Sequence, residues 1–149
     1  MRLPRSLALA GFLTVAVPAP VPAQPPQDGP SQTAVLDYVF TGGAGMLFFH
    51  VRPDRTADFE AVAARVSAAL ASSDDPVRRQ QALHWKLFRS SEQHENAIYV
   101  AVFDPVVEGG DYDPVKILSE EAPDEVQALY GQLQAAIVRI ERMGLTAVR

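Results

Sequence analysis

The stretch GMLFFHVRPDRTADFEAV, residues 45–62, changes period at its middle. From Met46 to Arg52 the side chains alternate between a Met46/Phe48/His50 row and a Leu47/Phe49/Val51 row, the two-residue period of a β-strand. Pro53 stops that strand, and Thr56 is placed to cap a helix whose first turn carries Asp58 and Glu60, where negative charge suits the helix dipole. Phe59, Val62, Ala63, Val66, Ala69 and Leu70 then recur at helical spacing and give residues 56–71 one apolar stripe.

Working toward the C-terminus, Asp75-Pro76 fits the cap and first position of one short turn through Gln81. ALHWKLFR, 82–89, and AIYVAVF, 97–103, read as the two strands of a hairpin around the polar loop SSEQHEN. DPVVEGGDYD, 104–113, is an acidic loop without the ligand spacing of a calcium site. Asp113-Pro114 starts a short helix through about Glu121. A longer helix is expected from Pro123, striped by Val126, Leu129, Tyr130, Leu133, Ile137, Ile140 and Met143 and stopped by Gly144, with 145–148 as a last short strand.

The order strand, helix, strand, strand, helix, strand predicts an α+β, ferredoxin-like split βαβ domain over 45–149: an antiparallel sheet, two main helices on one face, and the 97–103 strand between the other two. The all-apolar rows Leu47/Phe49/Val51, Leu83/Trp85/Leu87 and Ile98/Val100/Val102 are expected against the helices. The remaining rows, Met46/Phe48/His50, His84/Lys86/Phe88 and Tyr99/Ala101/Phe103, then share the other face. An apolar face of that size marks an interface or ligand site. Its candidate pocket wall is Met46, Phe48, His50, His84, Lys86, Tyr99 and Phe103. The cover is either a second copy, closing a dimeric α/β barrel, or residues 33–40 folding across the sheet.

Toward the N-terminus, residues 1–23 join a basic start, Arg2 and Arg5, to an apolar run from Leu7 to Val17 and a Val21-Pro22-Ala23 end. That is the pattern of a cleaved export signal, the run being short of the ~20 residues a membrane span needs. Residues 24–44 read as a flexible tether and loop, QPPQDGPSQ at their start and TGGAG at their end. TGGAG precedes a strand and lacks a following Lys-Ser or Lys-Thr, so it does not fit a phosphate loop.

Removing the signal leaves 11 Lys and Arg against 18 Asp and Glu, a net charge near −7. Such a chain repels phosphate backbones and carries no polybasic segment for anionic lipids, so neither nucleic acid nor, after cleavage, a membrane is an expected partner. The chain has no cysteine, which excludes disulfides, thiolate catalysis and Cys-ligated metals. His94 lies in the hairpin loop, apart from His50 and His84, so no metal site is expected, and no cofactor motif is present.

The strand GMLFFHV, the helix TADFEAVAARVSAAL, the hairpin LHWKLF/AIYVAVF and the amphipathic helix after Pro123 together resemble the dimeric α/β-barrel superfamily over residues 45–148. That group includes cofactor-independent antibiotic-biosynthesis monooxygenases and small stress-response barrel proteins. The resemblance implies a ferredoxin-like fold and a homodimer. The Asn-Trp-His set of its haem-degrading branch is not reproduced in order, since Trp85 adjoins His84 on one strand and Asn96 lies in a loop. RPDRTADFE with DPV, DYD and EEAPDE is also similar to an uncharacterised group of exported bacterial proteins.

The leading functional expectation is an exported, non-catalytic domain, periplasmic or secreted, whose open face binds a small, partly apolar ligand or a partner protein. An alternative is a monooxygenase-like enzyme in which His50 or His84 acts as base on a substrate held among Phe48, Tyr99 and Phe103. That reading needs an acid to orient the imidazole, and neither strand row supplies one beside His50. A structural dimerisation module is the third reading.

Overall fold

The computed structural model describes residues 38–148. The expected export signal, 1–23, and most of the tether lie outside the described residues. The elements run β1 (Ala44–Val51), a 3-10 turn (Pro53–Arg55), α1 (Thr56–Ser72), α2 (Pro76–His84), β2 (Trp85–Arg89), β3 (Ala97–Phe103), α3 (Pro114–Glu121), α4 (Val126–Ala136) and β4 (Ile137–Leu145). All strand pairs are antiparallel and the sheet order is β2-β3-β1-β4. This is the α+β, ferredoxin-like split βαβ topology that the sequence order predicts.

Apolar periodicity places α1 on the sheet. Phe59, Val62, Ala63, Val66, Ala69 and Leu70 are buried in one cluster with Leu47, Phe49 and Val51 of β1 and Leu133 and Ala136 of α4. Arg65 of α1 grips Glu125, just ahead of α4, with two parallel contacts, Nη2 to Oε1 at 2.8 Å and Nε to Oε2 at 3.1 Å. Asp75 and Asp113 cap α2 and α3, each carboxylate accepting at 2.8 Å from the backbone N–H two residues on, with proline in the first turn. Thr56 is no cap: Arg55 holds the N-cap position of α1, and the 3-10 turn leads straight into the helix.

Three further expectations change. First, α2 runs on through His84, so β2 begins only at Trp85, and Leu83, expected in the core, is 75% exposed. Its helix is held from below by Arg78 and Gln81, both buried, and this anchorage carries the helical turn past Gln81.

Second, the two rows of β3 are reversed. Tyr99, Ala101 and Phe103 are buried against the helices, and Ile98, Val100 and Val102 face outward. Cross-strand partners share a face, and the register pairs Phe49 with Tyr99, Leu47 with Ala101 and Gly45 with Phe103. The bare Gly45 leaves room for an aromatic cluster in which Phe103 packs on Phe40, Trp85 and Tyr112 at centroid distances of 5.6, 5.1 and 4.0 Å.

Third, the helix expected over 123–143 ends at Ala136, and 137–145 form β4 along the whole of β1, with a bulge opposite His50 and Val51. Ile137, Ile140 and Met143 therefore belong to a strand, Gly144 pairs with Gly45, and 146–148 form no strand. Without β4, the apolar β1 would be an edge with a row of unpaired backbone groups.

Tyr38 and Phe40 are buried in the helix-side core, so this part of the 33–40 segment plugs the end of that core and does not fold across the open face.

Candidate functional site

The sheet presents two different faces to possible partners. On the open face, β1 contributes Met46, Phe48 and His50, β2 Lys86 and Phe88, β3 Ile98, Val100 and Val102, and β4 Arg139, Glu141 and Met143. Phe88 is 55% and Met143 49% exposed, and the central residues are half-buried. Of the expected pocket wall, this face brings together Met46, Phe48, His50 and Lys86. His84 stands apart in the last turn of α2, and Tyr99 and Phe103 lie on the opposite face of the sheet, for the register reason given above.

His50 has the acid that the sequence reading lacked. Its Nε2 stands 3.2 Å from Oε1 of Glu141 and 3.2 Å from Nη2 of Arg139, its cross-strand neighbour, while that arginine nitrogen lies 2.8 Å from the same carboxylate oxygen. The imidazole side chain is 16% exposed. Both partners were hidden by reading 137–143 as helix. Two adjoining β-branched residues, Ile137-Val138, are the signal for a strand at that point.

On the helix side, Phe49, Phe59, Val62, Ala63, Val66, Trp85, Leu87, Pro114 and Leu133 line an apolar cleft that opens to solvent and whose enclosed part has room for about one water. None of these side chains titrates. One carries a polar atom: Trp85, whose Nε1 is buried and has no hydrogen-bond partner. An unpaired buried donor costs on the order of 1–3 kcal/mol.

The surrounding polar groups hold this wall in place. Phe59 sits between Phe49 and Tyr99, with centroids 5.2 and 4.7 Å away. The Tyr99 hydroxyl donates to Oε1 of Glu60, which also receives Arg89 Nη1 at 3.4 Å, and the Arg89 guanidinium lies over the Tyr99 ring. Burial first, and then the Glu60 carboxylate, push the Tyr99 phenol up to about 12. Below α2, the buried Arg78 donates to Oε1 of Gln81 at 2.8 Å, to the Asp111 carbonyl and to Glu120, and Gln81 Nε2 donates to the same carbonyl at 3.1 Å. This network fixes the acidic loop and, through α2, the start of β2 where Trp85 stands. Among the described residues no group of three His, Asp or Glu side chains comes together as a metal site, and no helix is long and apolar enough to cross a membrane.

No protein-family model matches the chain, and no curated protein matches it. Among solved structures it is similar to a Caulobacter crescentus protein provisionally named an antibiotic biosynthesis monooxygenase, at 19% identity and a TM-score of 0.41, over 73% of this chain and 94% of that one.

Proposed function

We propose that this protein is an exported, non-catalytic binding domain that works as a homodimer and holds a small apolar molecule bearing one hydrogen-bond acceptor. The observation that carries the ligand reading is the buried indole N–H of Trp85, which has no partner and belongs to a residue lining an otherwise apolar cleft; a ligand would have to widen that cleft to reach it. Such a pocket selects by shape and by one polar contact. A binding role is favoured over catalysis because no titratable side chain lines the pocket and His50 lies across the sheet from it.

Export rests on the basic start and short apolar run of residues 1–23, and predicts a mature chain beginning at Gln24. The homodimer rests on the partly exposed apolar rows of the open face, which a second sheet would cover.

Trp85 is the sole tryptophan, so its fluorescence reports on the pocket directly. Titration with a series of small aromatic ketones, and with hydrocarbons of matching shape, should give a saturable spectral change that is stronger for the ketones. No saturable change with any of them would overturn the ligand reading. Equal response to both series would remove the role given to the indole N–H.

A further inference from the structure

β4 is the last strand in the order β2-β3-β1-β4, and among the described residues no strand pairs with its outer side. The ladder fixes which of its backbone groups face outward. In antiparallel strands the N–H and C=O of one residue point to the same side, and successive residues alternate. Ser90 N–H donates to the Ile98 carbonyl, so Ile98 turns toward β2 and Tyr99 toward β1. The register then turns Phe49 toward β3, and Phe48 and His50 toward β4; the Arg52 N–H, two residues on, duly donates to the Ala136 carbonyl. On β4, Arg139 and Glu141 therefore bond β1, and Ile140 between them directs its N–H and C=O away from the sheet. The side chains of Arg139 and Glu141 share the open face, exposed and 2.8 Å apart.

We propose that β4 is a self-pairing edge: two copies join β4 to β4, antiparallel about Ile140, into one sheet continuous across both. A two-fold axis normal to the sheet keeps all the helices on one side. It sets Ile140 against the partner's Ile140, and each Arg139 against the partner's Glu141. Charges on an edge strand ordinarily repel a second strand. Here their order complements itself. Centring the axis on Arg139, Glu141 or Arg142 would set a like charge against itself, whereas centring it on Ile140 makes two opposite-charge pairs. A second copy is the occupant that this order of charges selects.

In that register the two Ile140 residues exchange both backbone hydrogen bonds. The Arg139–Glu141 pairs beside them are of the non-hydrogen-bonded kind, in which side chains come closest. The bulge at Val138 limits the ladder beyond Arg139, so the joint is short and its charges decide it. It runs along the rim of the sheet and does not depend on the open-face pairing proposed above.

Sedimentation equilibrium of the full chain over a concentration series is the test, with circular dichroism to show that the fold persists. Ile140→Pro removes an N–H that the β1 ladder does not use, and should halve the mass of the assembly. The change is from tetramer to dimer where the open faces also pair, and from dimer to monomer where they do not. Arg139→Glu and Glu141→Arg each set like charges across the joint and should halve the mass as well. An equimolar mixture of those two chains restores both opposite-charge contacts and should recover the wild-type mass. The mixture separates the joint from a role within one chain, since each variant still lacks its own Arg139–Glu141 ion pair, and it carries the test alone if Ile140→Pro misfolds. A wild-type chain no heavier than the Ile140→Pro variant, or charge variants that associate as well alone as mixed, would overturn the edge joint. The open-face reading then stands or falls separately, on whether the remaining species is a dimer.

Discussion

The Phe40 ring occupies the space in which a Cβ on Gly45 would stand: a methyl group built there lies 2.7 Å from the ring's Cγ and Cδ1. Gly45→Ala should therefore destabilise by about 1–3 kcal/mol through overpacking. Gly144, its partner on β4, has open space around its Cβ direction, so Gly144→Ala should leave stability nearly unchanged. Urea midpoints of the two variants check the difference. Equal midpoints would mean that Phe40 does not sit where it is described.

Trp85 separates packing from recognition. Trp85→Ala removes a ring packed on Phe103 and stacked with Tyr112, and should cost on the order of 3–5 kcal/mol. Trp85→Phe keeps an aromatic body and removes the unpaired donor, so it should be far milder for stability while weakening ligand binding. Chemical denaturation gives the first comparison and calorimetric titration with an aromatic ketone the second.

Leu83 and Arg78 test the extended α2 helix from its two sides. Leu83→Ser, on the solvent side, should fall within about 0.5 kcal/mol of wild type. Arg78→Met, on the buried side, leaves Gln81 Oε1 without its donor and the Asp111 carbonyl with Gln81 Nε2 alone, and should cost about 1–3 kcal/mol. Arg78→Lys should not restore it, because an ammonium cannot reproduce a guanidinium that serves three partners. Thermal unfolding of the three variants reads the order.

Alkaline pH should weaken the fold through Tyr99. Its phenol is raised to about 12 in the folded state from an ordinary value of 10.0, so the folded chain holds this proton more tightly than the unfolded chain. The contribution is fully present below the unfolded value and is lost as pH rises through the folded one. Tyr38 and Tyr112, also raised by burial, act in the same direction. Tyr99→Phe should flatten part of the fall in unfolding midpoint above about pH 10; an unchanged profile would assign the loss to the other two.

What the sequence made legible follows from where its pattern is unambiguous. Residues 45–62 change period once, with a proline at the change, and both β1 and α1 form where the pattern puts them. AIYVAVF is apolar in both rows, so periodicity has no preference between its faces. The register against Gly45 decides, and Tyr99 lies inward with its hydroxyl reaching Glu60 at the rim. The stripe Val126, Leu129, Leu133 continues into Ile137 and Ile140 at helical spacing, and only the unpaired edge of β1 turns that last part into a strand. Tertiary pairing overrides local period there. His50 was visible as an anomaly in an apolar row, but Glu141 and Arg139 become its neighbours only once β4 exists.

The aromatic cluster at the closed end of the core also bears on the order of folding. Phe40, Trp85, Phe103 and Tyr112 come from four separate segments, the first and last of them 72 positions apart in the chain. Closing so long a loop costs entropy before any ring contact compensates for it. The Phe40 contacts are thus expected to form last, with residues 38–43 closing onto a core already made. Truncating Phe40 should accelerate unfolding and leave the refolding rate nearly unchanged, so this ring acts as a latch on the lifetime of the native state.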